Sequence, residues 1–136
     1  MEVSGAQVTT NVEAFNALLS KVAKDLPEDD LVEFHQKICF DALRGVIFST
    51  RVRTGRARGG WQVGIDEIPT GPGRKSKSGE GTKNRGNSKI ERIRPYQVCY
   101  IANNVEYITY LEDGASGRPG DHMLALTLLR ISLTLI

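Results

Sequence analysis

Three groups of residues in this chain have the types that chemistry needs, and each falls short of a working set. Gly81-Thr82-Lys83-Asn84-Arg85-Gly86-Asn87-Ser88 has the glycine spacing and closing hydroxyl of a phosphate-binding loop. Asn87 stands where a lysine must reach the terminal phosphates, no strand feeds the segment, and Pro95 follows too soon for a helix. His35 and Cys39 lie one helical turn apart and would offer two metal ligands from one face. A tetrahedral site needs two more, and Cys99 and His122 fall in separate elements without motif spacing. Glu106, Glu112 and Asp113 gather near Tyr107 and Tyr110, an acid–base set by residue type. Hydrolysis also needs a nucleophile and an oriented base, and neither histidine sits in such a motif. Carboxylates beside a turn more often cap backbone groups or meet arginine. The expectation is a chain that is not an enzyme, with no cofactor and no bound metal.

Charge says more. The formal net charge of +2 hides a strong segregation. Residues 1–50 carry eight carboxylates against Lys21, Lys24, Lys37 and Arg44. Residues 74–94 carry Arg74, Lys75, Lys77, Lys83, Arg85, Lys89, Arg92 and Arg94 against only Glu80 and Glu91. Charge this polarised steers either nucleic acid or an oppositely charged protein surface. With Arg51, Arg53, Arg56 and Arg58, the basic segment would neutralise several phosphates without reading sequence. It holds no aromatic residue before Tyr96, so base stacking of the single-strand type is not expected.

The elements that must position these groups fit one domain, 1–136, with one core. No secretory signal pattern opens the chain, and the apolar run from Met123 to Ile136 is broken by Arg130. That run is also short of the roughly 20 residues a membrane span needs. Assembly in a cytoplasm is expected, with Cys39 and Cys99 as buried reduced thiols.

Asn11 is a plausible N-cap for a helix carrying Val12, Phe15, Leu18, Leu19, Val22 and Leu26, stopped by Pro27. A second helix starts at Glu28-Asp29-Asp30, whose carboxylates suit a helix N-terminus, and runs through Leu31, Phe34, Ile38, Ala42, Val46 and Ile47. The two form a helical hairpin. Trp61 to Ile68 and Tyr96 to Ala102 alternate as strands and are expected to pair. Between them, Pro69 to Arg94 is rich in Gly, Ser and Lys, with nothing apolar of weight before Ile90. It reads as a long, flexible basic arm that orders against a partner. Tyr107 to Glu112 reads as one or two helical turns ended by Gly114, and Ala115 to Asp121 as a loop. His122 to Ile136 reads as a last helix or, toward its end, a strand; as a helix it has Leu124, Leu128, Ile131 and Leu135 on one face. The fold class is α+β: a helical hairpin on a small, mainly antiparallel sheet, a basic loop between two strands, and a C-terminal helix.

Two blocks resemble the tail-completion or head–tail joining (neck) proteins of long-tailed double-stranded DNA bacteriophages. In that family a Thr-Gly-Arg-x-Arg segment leads into a strand bearing Trp. Here these residues are Thr54, Gly55, Arg56, Arg58 and Trp61. The second block, a strand ending in Asn-Asn and followed by Tyr, an acidic residue and Gly, appears as Asn103, Asn104, Tyr107, Glu112 and Gly114. A Ser, Pro, Met ending appears as Ser116, Pro119 and Met123, with a one-residue change of spacing. Glu106 stands where proline is common, and Asp113 where an aromatic is common. The resemblance covers roughly residues 50 to 125.

It implies a virion structural protein: a homo-oligomeric ring subunit, hexameric or twelve-membered, linking the tail tube to the head connector. Other neck, connector and tail-tube proteins are the implied partners, with nonspecific contact to DNA in the lumen and none to membrane. On that reading the acidic hairpin would meet Arg51, Arg53, Arg56, Arg58 or the arm's Arg74, Lys75, Lys77, Lys83, Arg85 and Lys89 on the next copy. Glu112 would pair with an arginine of the Thr54–Arg58 segment. The alternative from another class is a nonspecific duplex-DNA-binding protein.

Overall fold

The structure, a computed structural model, describes the backbone of residues 9–135 and the side-chain surroundings of residues 12–135. Helix α1, Thr9–Ala23, already contains Asn11, so that residue lies inside the helix and does not cap it. Helix α2, Glu28–Ser49, follows a short turn through Pro27, and Glu28, Asp29 and Asp30 occupy its first turn. Its buried face is Ile38, Cys39, Ala42, Leu43, Val46 and Ile47: the later part of the helical stripe read from the sequence, widened by Cys39 and Leu43, with Leu31 and Phe34 only half-buried. Helix α6, Met123–Leu135, lies against both α1 and α2 and presents Leu124, Leu128 and Ile131 to them. Gly45 of α2 lets the backbones approach, because a Cβ there would collide with the Thr127 side chain. The helical hairpin is therefore closed by a third helix.

Strands β1, Trp61–Ile65, and β2, Cys99–Asn103, pair antiparallel with Trp61 opposite Asn103 and Ile65 opposite Cys99. Trp61 and Val63 on β1, and Cys99 and Ile101 on β2, join the core. β1 ends three residues before, and β2 begins three residues after, the limits that the alternation predicts. Asp66 takes a left-handed φ of 61° and its carboxylate accepts from the Val98 N–H at 2.8 Å, which ties off the open end of the pair.

The expected flexible arm is the main correction. Residues 80–90 form helix α4, Glu80–Ile90, running antiparallel to α2 and packed on it and on β1. Thr82, Gly86, Ile90 and, just beyond, Ile93 face inward, and Ile90 has no exposed surface. Its composition gives little intrinsic helicity. Tertiary contact supplies the order instead: Gly86 sits against Leu43 and Val63, where a Cβ would strike Leu43. Gln36 of α2 reaches the carbonyls of Ile90 and Glu91, capping the end of α4 at 3.4 and 3.2 Å. The phosphate-loop likeness of residues 81–88 thus belongs to a packed helix. The long connection between the strands is ordered over these residues.

Two short elements complete the chain. Helix α3, Arg56–Gly59, begins after Gly55 in left-handed conformation. Helix α5, Ile108–Asp113, ends at Gly114, φ 94°, as expected. Residues expected as plain loop hold a tiny hairpin, β3, Gly114–Ala115, with β4, Arg118–Pro119. No helix among the described residues is long and apolar enough to cross a membrane.

Candidate functional site

Thr50, just past the end of α2, is the point on which the first of the two resembling blocks is built. Its hydroxyl donates to the Val46 carbonyl at 2.6 Å, with Met123 Sδ 2.9 Å away. The Trp61 indole N–H donates to the same oxygen at 2.8 Å. Its own carbonyl accepts from Arg58 Nε and Nη2 at 3.1 and 2.9 Å, and Arg58 also reaches the Lys77 carbonyl. Arg58 therefore neutralises the carbonyl end of α2, where a cation is favoured. Sequence reasoning missed Thr50 entirely, since an isolated threonine after a helix carries no pattern.

Three of the four arginines of this segment, Arg51, Arg56 and Arg58, are consumed inside the chain. Arg56 meets Glu106 in a two-pronged pair, Nη1 to Oε1 at 3.0 Å and Nη2 to Oε2 at 2.8 Å, and its guanidinium lies over the Tyr107 ring. Arg51 clasps Asp121 through its backbone N–H and side chain, and donates to the Pro119 carbonyl. Arg53 is exposed. Asn103 donates to the Ala57 carbonyl at 2.8 Å and accepts from the Val105 N–H. Asn104 donates to the carbonyls of Pro69 and Gly71. Thr54 Oγ1 accepts from the Arg56 N–H. The resembling blocks thus interlock, and Arg51, Arg56 and Arg58 are already bound within the chain.

Glu112 does not pair with an arginine of 54–58, contrary to expectation. Buried to 2 % exposure, its carboxylate accepts from the N–H groups of Leu124 at 2.8 Å and Ala125 at 3.4 Å. It caps the first turn of α6 from the preceding helix, doing what an N-cap aspartate does locally. Burial pushes its pKa up, and the two N–H contacts work against that. Arg56 takes Glu106 instead, because that carboxylate is exposed and within reach of α3.

What remains open of the basic segment is one face of α4 and the turn that follows it. Arg85, Lys89 and Arg92 recur at four- and three-residue spacing and line a hollow of about 570 Å³ with Arg74 from the preceding loop. Gln62 and Ser88 join its walls, and no carboxylate does. Lys75 and Lys77 are exposed outside it, and Lys83 pairs with Glu80 at 2.9 Å. Arg92 belongs to this set although the sequence reading did not count it as a site residue.

Two apolar surfaces are also open. Leu126, Leu129 and Leu133 form a ridge on α6, 37 %, 50 % and 64 % exposed. A hollow of about 390 Å³ lies between α1, α2 and the turn at 94–97, lined by Leu19, Leu31, Phe34 and Ile38 under Tyr96. His35 and Cys39 line the same hollow; burial holds the imidazole toward its neutral form. Cys39 and Cys99 are free thiols in contact within the core, and that hydrogen bond together with burial raises the Cys39 pKa. Among the described residues, no three His, Cys, Asp or Glu converge on a point that would hold a metal ion.

No protein-family model, curated protein or solved structure matches this chain.

Proposed function

We propose that the chain is a virion structural subunit, a tail-completion or head–tail joining component of a phage neck, and that it works as a homo-oligomeric ring. The observation that carries this reading is the leucine ridge of α6. Three leucines at helical spacing stay open on a helix whose other face is fully packed. An apolar ridge of this kind marks a protein contact. A ring requires two unlike surfaces on each copy, since head-to-tail contact is heterologous. The hollow between α1, α2 and the turn at 94–97, with acidic Glu28 on its rim, is a concave apolar counterpart to the convex ridge. The resemblance of residues 50–125 supplies the location, and the contact between its two blocks from Asn103 to the Ala57 carbonyl supports it. We assign the chain no reaction.

Particle images and sedimentation of the purified protein, alone and mixed with tail tubes, test the reading. Closed rings or ring-capped tubes are expected for the unmodified chain. Leu129→Glu with Leu133→Glu should leave the circular dichroism spectrum intact and remove the rings. A chain that stays monomeric at every concentration and ignores tail tubes would overturn the reading. Rings unaffected by the double variant would show that the ridge is not the contact.

A further inference from the structure

We infer that the cleft formed by α4 and the loop before it binds the phosphodiester backbone of duplex DNA. The inference rests on the cleft alone and stands apart from ring formation. Arg85 and Lys89 lie on one face of α4, one turn or about 6 Å apart along its axis, and Arg92 continues the line from the turn just past the helix end. Arg74 faces them across the hollow. The adjoining hollow shares Lys89 and Arg92, adds Arg94, and contains one carboxylate, Glu67. The result is a stripe of positive charge, which fits a linear polyanion better than a compact anion.

The state of each cation decides what it can do. Among the described residues, Arg74 and Arg92 hold no side-chain hydrogen bond or ion pair. Arg85 spends one nitrogen on Thr82 Oγ1 at 3.3 Å, and Lys89 donates once to the Val63 carbonyl at 3.0 Å. Both are held in position and keep further N–H groups for an oxygen ligand. Arg51, Arg56 and Arg58, by contrast, are committed to Asp121, Glu106 and Thr50. Planar guanidinium groups suit phosphate oxygens through paired N–H contacts. Gln62 and Ser88 add neutral polar groups to the wall. The aromatic residue of the lining, Trp61, is only 5 % exposed and its N–H is already used, so no base can stack there. Contact is therefore with the backbone and independent of sequence.

The test is salt-dependent binding of a short fluorescent DNA duplex, read by anisotropy. Four cations each neutralising a phosphate give a slope of log K against log salt of about −3.6. Arg74→Gln with Arg92→Gln, which removes two unpartnered exposed side chains, should lower that slope by about 2. Lys24→Gln removes an exposed cation at the end of α1, outside the cleft, and should leave the slope within experimental error of the unmodified protein. Amide chemical-shift changes confined to residues 72–74 and 82–92 on adding duplex would support the site independently of any variant. Absence of duplex binding at low salt overturns the inference, as does a slope insensitive to the Arg74/Arg92 variant. Equal affinity for poly-glutamate also overturns it, and would mark the cleft as a dock for an acidic protein surface. A wild-type ring that binds no DNA would leave the assembly reading standing and remove only this one.

Discussion

The Trp61 indole N–H donates to Thr50 Oγ1 at 2.8 Å, and both residues are almost completely buried. This bond fixes β1 to the end of α2, on the oxygen that also caps Val46. Thr50→Val keeps the shape and leaves the indole donor without an acceptor. The expected loss is about 1–3 kcal/mol, the desolvation penalty of an orphaned buried donor. Thr50→Ser keeps the acceptor and should lose clearly less. Urea unfolding of the three proteins checks this, and equal stability of the valine and serine variants would contradict it.

Gly86 is where α4 meets the core with no room for a side chain. Its missing side chain leaves room for Leu43 and Val63, both almost completely buried. Gly86→Val adds a branched side chain where there is no space, and overpacking of this kind costs about 1–3 kcal/mol. The helix has little propensity of its own, so the strain should appear as local loss of α4. Hydrogen exchange should speed up across 80–90 before it does in α2. Uniform exchange at both helices would argue against α4 being held by this contact.

That helix also shows where the sequence was legible and where it was not. Ile38, Ala42 and Val46 announced α2 through size and period, and the Trp61, Val63, Ile65 alternation announced β1. The inward stripe of α4 is Thr82, Gly86 and Ile90, with Ile93 beyond it, at helical spacing but built mostly from small residues. Counting only large apolar side chains makes such a stripe read as solvated arm. A glycine in a helix acquires meaning from what packs on it, which only the fold supplies. The same holds for charge. Arg51, Arg56 and Arg92 look alike in sequence, and only distance shows that two are paired within the chain while the third faces a cleft. Glu112 was singled out with the wrong partner, because its ligands are backbone N–H groups twelve residues on.

Thr127 lies at the contact of α6 with Gly45 of α2, and among the described residues its buried hydroxyl has no hydrogen-bond partner. Leaving a hydroxyl unsatisfied in the core is unfavourable, whereas a methyl of the same shape has nothing to satisfy. Thr127→Val should therefore be neutral or stabilising by up to about 1 kcal/mol. Thermal unfolding gives the sign directly. A marked loss of stability would mean that the hydroxyl has a partner in solution.

The pKa values of Glu112 and Asp121 are displaced in opposite directions across one short segment, and this predicts the pH profile. Burial raises the Glu112 pKa, so the folded chain keeps a proton that the unfolded chain has released. Stability must then fall as pH rises from the unfolded carboxyl value through the folded one, and level off above it. For Asp121, burial acts upward but the Arg51 contacts outweigh it, and the pKa is lowered. Its contribution is present above the unfolded value and is lost as pH drops through the folded one. Glu112→Gln keeps an oxygen for the Leu124 N–H and removes the titration. Relative to the unmodified chain, the glutamine variant should gain stability as pH rises through the Glu112 window, then hold a constant difference. Urea unfolding at steps from acid to neutral pH measures that difference. A difference that shrinks with rising pH would mean that the N–H contacts at the head of α6, and not burial, govern this carboxylate.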